Sequence, residues 1–60
     1  MFITVKGEKD EEILVNINQI KFIVPRKNGC FIDFGEGLYI RSNSSVVELG
    51  KAIADRSKNA

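Results

Sequence analysis

The chain reads as an α+β domain: a five-stranded antiparallel β-meander with one C-terminal α-helix packed on one face. Three observations predict it. Short apolar runs at residues 2–6, 12–16, 20–26, 30–34 and 38–42 alternate with turn-forming segments. Two of those segments carry glycine at hairpin spacing, Lys27-Asn28-Gly29 and Gly35-Glu36-Gly37. Finally, Ser45-Val46-Val47-Glu48 has the pattern of a helix capping box ahead of a periodic apolar stripe.

The first strand puts Ile3 and Val5 on one face and Phe2, Thr4 and Lys6 on the other. Residues 7–11 are a polar turn. Pairing Val5 with Ile13 across it aligns Ile3 with Val15 and Lys6 with Glu12. Each such apolar or opposite-charge pair contributes roughly 0.2–1 kcal/mol. Asn16-Ile17-Asn18-Gln19 favours a single helical turn, because asparagine side chains bond nearby backbone, with Ile17 plugging the end of the core.

For the next hairpin a three-residue loop, 27–29, pairs Val24 with Ile32 and Phe22 with Phe34. A two-residue Asn28-Gly29 loop would set Ile32 on the face of Pro25. A one-residue slip turns every side chain over, so a buried face selects the three-residue loop, with Gly29 as its left-handed last residue. The same arithmetic at 35–37 pairs Phe34 with Leu38 and Ile32 with Ile40. Pro25 has no N–H to donate and belongs at an edge or a non-bonded site. Residues 42–45 end the sheet, which therefore spans 1–42. The helical segment is 44–56, with the helix itself running from Val46 to Arg56 and residues 57–60 fraying. Val46, Leu49 and Ile53 form its stripe. Gly50 costs about 1 kcal/mol against alanine there, which a close approach to the sheet accounts for. Arg56 and Lys58 suit the negative helix pole.

These registers divide the sheet. The helix-covered face holds Ile3, Val5, Ile13, Val15, Ile20, Phe22, Val24, Cys30, Ile32, Phe34, Leu38 and Ile40. The opposite face holds Phe2, Thr4, Leu14, Lys21, Ile23, Phe31, Asp33, Tyr39 and Arg41. A solvated antiparallel face alternates to polar residues, yet five of these nine are large and apolar or aromatic. Phe31 opposite Arg41 forms a cation–π pair. Phe2, Ile23, Phe31, Tyr39 and Arg41 are thus the expected partner or self-association face.

Sixty residues make one domain, 1–60. A chain this short buries only about 60% of its unfolded surface, so such domains depend on a metal, disulfides, a partner subunit or a very efficient core. With no histidine and one cysteine, a metal site or internal disulfide is not expected, and self-association is the remaining route. The lone cysteine also sets the expected compartment as cytoplasmic. No apolar run approaches the ~20 residues of a membrane helix, and the N-terminus lacks the features of a signal peptide.

Enzymatic chemistry finds no support. Cys30 has no histidine to activate it and reads as a buried structural thiol. Glu8, Asp10, Glu11 and Glu12 form a charged turn. Gly35-Glu36-Gly37 joins two strands and opens no helix, so it is not a phosphate loop. No cofactor, metal or small-molecule substrate is expected. The net charge of +1 argues against a purely electrostatic nucleic-acid binder. One alternative remains: Lys21, Arg26, Lys27 and Arg41, with Phe31 and Tyr39 between them, match the basic and aromatic mixture of a sheet that stacks bases, although Asp33 sits among them.

The order of elements carries a resemblance. Val15-Asn16, the turn to Ile20, Ile23, Phe31-Ile32-Asp33-Phe34, the glycine turn, Tyr39-Ile40-Arg41, Val46-Val47-Glu48 and Ile53 resemble the FlbD-type small flagellar and swarming-motility proteins over Ile13 to Ile53. That resemblance implies a non-enzymatic bacterial accessory protein of motility. The run from Ile20 to Arg41 with the following helix is also similar to the first half of LytTR DNA-binding domains. The size and element order resemble the carbon-storage-regulator RNA-binding dimers, whose Ala-Pro-Lys-x-Val stretch is absent here. The expected function is a self-associating protein-interaction module, a homodimer.

Overall fold

The computed structural model describes residues 1–58 of the chain. Its elements are β1 (Phe2–Lys6), β2 (Glu12–Asn16), a 3-10 turn (Ile17–Gln19), β3 (Phe22–Arg26), β4 (Gly29–Gly35), β5 (Leu38–Ser42) and α1 (Val46–Lys58). The α+β class holds, but the strands do not form one meander. They form two sheets, β1-β2 and β3-β4-β5.

The break lies at the 3-10 turn. The Asn16 side chain accepts a hydrogen bond from the Asn18 N–H at 3.0 Å, and the Ile20 N–H returns to the Ile17 carbonyl at 3.3 Å. This closed local loop redirects the chain, and β3 starts a second sheet instead of pairing with β2. The sheets are joined elsewhere, at a joint built from Ser42, Asn43 and Ser44. Gly7 bridges to Ser42. The Ser42 hydroxyl donates to the Lys6 carbonyl at 2.6 Å and accepts from the Ser44 N–H at 3.0 Å. The Asn43 N–H donates to the same Lys6 carbonyl at 2.9 Å, and the Ser44 hydroxyl oxygen accepts from the Lys6 N–H at 3.2 Å. Both serines are buried, so the hydroxyls satisfy backbone groups that water cannot reach.

The β1-β2 register is as the sequence predicts: Val5 opposite Ile13, Ile3 opposite Val15, Lys6 opposite Glu12. The β3-β4 register is not. Ile23 faces Ile32, Val24 faces Phe31, and Phe22 faces Asp33. The loop is two residues, Lys27-Asn28, with Gly29 paired to Arg26 inside the ladder. The reason lies in Gly29. A Cβ there would collide with the Ser42 carbonyl oxygen of β5, so the glycine serves a close strand approach instead of a third loop position. This one-residue change turns β3 over. Ile23 packs against the core, while Phe22 and Val24 leave it.

In the β4-β5 hairpin, Ile32 faces Ile40, Phe31 faces Arg41 and Asp33 faces Tyr39, as expected. A bulge between Asp33 and Gly35 then pairs Gly35, not Phe34, with Leu38. The turn residues Glu36 and Gly37 both have positive φ, 54° and 81°, the signature of a tight two-residue hairpin turn. Leu38, expected in the core, is exposed at the hairpin tip.

The core is Ile3, Val5, Val15, Cys30, Ile32 and Leu49. Ile13, Ile17, Ile20, Ile23, Phe34, Ile40, Val46, Ala52 and Ile53 pack around it. Helix α1 rests on β1 and β3. Its capping box is complete: the Glu48 N–H donates to the Ser45 hydroxyl at 3.1 Å and the Ser45 N–H to the Glu48 carboxylate at 3.2 Å. Gly50 faces open space, so no close approach explains it. The helix continues through Ser57 and Lys58, two residues of the segment expected to fray. The rest of that segment, 59–60, lies outside the described residues.

Candidate functional site

Alternation along β3, β4 and β5 creates two opposite faces from the same three strands. On the inner face Ile23, Ile32 and Ile40 form one rung against the core. On the outer face two rungs lie side by side. One is Val24–Phe31–Arg41 and the other is Phe22–Asp33–Tyr39. Phe22 is 58% exposed, Tyr39 52% and Val24 41%. Apolar and aromatic groups thus lie together in water over three neighbouring strands.

Phe31 is the centre of this face and is only partly exposed. Its own neighbours cover it. The Tyr39 ring meets it edge-on, centroids 5.4 Å apart at 78°. The Arg26 guanidinium lies over its ring at 4.4 Å, and that of Arg41 approaches at 5.7 Å. At these distances a cation–π contact contributes on the order of 0.5–1 kcal/mol on an exposed surface. Arg41 also reaches Glu8 at 3.8 Å. Asp33 Oδ1 accepts the Gly35 N–H at 2.7 Å, which fixes the carboxylate beside the bulge. Val24, Phe31, Asp33 and Tyr39 line a shallow depression of about 240 Å³.

The expected contact residues divide accordingly. Phe31, Tyr39 and Arg41 are brought together here. Ile23 is on the core side and is replaced on the outer face by Phe22 and Val24. Phe2 is exposed but belongs to the two-stranded sheet, as does Leu14. Of the basic residues considered for nucleic acid, Arg26 and Arg41 flank Phe31. Lys27 stands in the β3-β4 turn, and the Lys21 side chain runs past Gly35 near the opposite end of the strands. Sequence reasoning missed the stacking of Arg26 on Phe31, because the expected loop placed Arg26 one residue out of register. The signal was present in Gly29, which fits a strand crossing as well as a loop.

A wider hollow of about 570 Å³ is lined by Glu8, Lys9, Glu11, Ile13, Tyr39, Ile40 and Arg41, with charges of both signs across it. Among the described residues no three metal-ligating side chains group together. Cys30 is fully buried opposite Ser42; burial pushes its thiol above the usual range, with the Ser42 hydroxyl pulling weakly the other way. A protonated, enclosed thiol is a packing group. No helix among the described residues is long and apolar enough to cross a membrane.

Comparison of the chain with protein-family models, with curated proteins and with solved structures finds no match.

Proposed function

We propose that this protein is a non-enzymatic interaction module that self-associates, as a homodimer, through the outer face of β3-β4-β5. The observation that carries the reading is the pair of outer rungs, where Phe22, Val24 and Tyr39 stand in water around Phe31. Core-sized side chains on the solvent side of a sheet mark a surface that is covered in use. Burying them contributes at about 25 cal/mol per Å², before the cost of association. A 60-residue domain with a six-residue buried core also has reason to recruit a partner's surface. Its setting in this reading is the cytoplasm, in the accessory role that the resemblance to the FlbD-type motility proteins implies.

Analytical ultracentrifugation of the native chain and of Phe31→Asp tests this. The native chain is expected to shift from monomer to dimer as concentration rises. The variant should stay monomeric with an unchanged circular dichroism spectrum, because Phe31 lies outside the core. A native chain that remains monomeric at millimolar concentration contradicts the reading.

A second reading has one observation in its favour. Arg26 and Arg41 beside Phe31 and Tyr39 combine cations with stacking rings, as single-stranded nucleic-acid platforms do. Binding of a short single-stranded oligonucleotide that weakens steeply with salt would favour it.

A further inference from the structure

The charges on the outer face determine how a second copy docks, given the self-association proposed above. The Arg26 guanidinium lies over Phe31 at 4.4 Å and makes no ion pair or side-chain hydrogen bond among the described residues. Its fork of N–H donors is therefore free for a carboxylate, the group whose geometry it matches. Asp33 uses Oδ1 for the Gly35 N–H, while Oδ2 has no partner among the described residues. One face thus carries an unclaimed donor fork on the Phe31 rung and an unclaimed acceptor on the neighbouring rung.

A symmetric dimer pairs each patch with its own copy, so the position of the two-fold axis decides which groups meet. An axis running along β4 stacks Asp33 on Asp33 and brings two carboxylates together as water leaves, which is unfavourable. An axis crossing the strands between the two rungs lays each rung on the other rung of the second copy. Val24 then meets Phe22, Arg41 meets Tyr39, and Asp33 meets Phe31 with its overlying Arg26. We infer that two copies stack their outer faces about this crossing axis, with Asp33 of each copy paired to Arg26 of the other. Symmetry forms the pair twice. Three strands paired over about five residues give a footprint of roughly 14 × 17 Å. That is below the ~800 Å² per partner of a standard interface, so the dimer is weak and exchanging. The charge pairs serve mainly to fix its register.

Exchange of the charges tests this. Asp33→Lys and Arg26→Glu are each measured alone and as an equimolar mixture, by sedimentation, against the native chain. Each alone is expected to raise the dimer Kd at least about tenfold, and the mixture to return within about threefold of native. A native chain that dimerises while both reversals leave Kd unchanged overturns this docking and spares self-association. A native chain that never dimerises overturns both. A monomer that binds a uridine decamer, and loses it in Arg26→Glu, overturns both in favour of nucleic acid. Should Asp33→Lys lose its folded circular dichroism spectrum, Asp33→Asn keeps an acceptor for the Gly35 N–H. It is expected to raise Kd about tenfold, as loss of both symmetry-related exposed charge pairs does, and an unchanged Kd overturns the docking.

Discussion

The inner and outer faces of β3-β4-β5 share every backbone hydrogen bond and differ in everything else. Ile23, Ile32 and Ile40 meet the core on one side. One residue along each strand, the other side presents Phe31 under two guanidinium groups, with Phe22, Val24 and Tyr39 in water. In the function proposed, stability and contact fall to alternate residues of the same strands. Neighbouring substitutions should therefore give opposite phenotypes.

The hairpin β1-β2 sharpens the contrast. Its outer side also exposes Phe2 and Leu14, but among the described residues no aromatic partner or stacked cation accompanies them. Scattered exposed apolar groups are ordinary on a protein surface. What separates the three-stranded face is that its apolar groups are contiguous and its charges are held in place.

The inner face is the more sensitive of the two to substitution. Ile32→Ala removes a fully buried side chain at the centre of the core. It is expected to cost about 2–5 kcal/mol, a large fraction of the stability of so small a domain. Thermal melting should show a large fall in Tm or no folded baseline. A melt close to native would mean that the inner rung is not the structural one. Ser42→Ala is next. It removes the donor to the Lys6 carbonyl and the acceptor for the Ser44 N–H at the joint between the sheets. A loss of about 1–3 kcal/mol is expected by denaturant unfolding, with the dimer Kd unchanged once folded protein is compared. The smallest effect comes from pH. The folded-state thiol of Cys30 is raised above its usual value of 9.0 by burial. Its contribution is therefore fully present below that pH and declines as pH climbs through and beyond it, because the unfolded chain releases the proton first. Cys30→Ala should flatten that part of the stability–pH curve, and a native curve with no alkaline fall attributable to the thiol would contradict the burial argument.

Much of this arrangement is legible in the residues. Lys6 with Glu12 and the two apolar pairs beside it specify β1-β2 without help. Ser45 and Glu48 specify the start of α1, since the capping bonds are local. Phe31 and Tyr39 fall on the outer face because the β4-β5 ladder is regular from Cys30 to Asp33. The failures with the largest consequences come from long-range contacts. Gly29 reads as a loop residue until the Ser42 carbonyl is known to cross it. The resulting one-residue shift exchanged Ile23 for Phe22 and Val24 between the faces. Ser42, Asn43 and Ser44 read as a sheet terminus, whereas they bind Lys6 from 36 to 38 residues away. Two sheets look like one because Asn16-Ile17-Asn18 indicates a turn but not the direction in which the chain leaves it.

The most direct test follows amide chemical shifts of the native chain through a dilution series. Concentration-dependent shifts are predicted at Phe22, Val24, Phe31, Asp33, Tyr39 and Arg41, with Phe2, Thr4 and Leu14 unmoved. Shifts confined to the hairpin residues, or none at any concentration, would contradict the assignment of the outer face of β3-β4-β5 as the surface through which this protein acts.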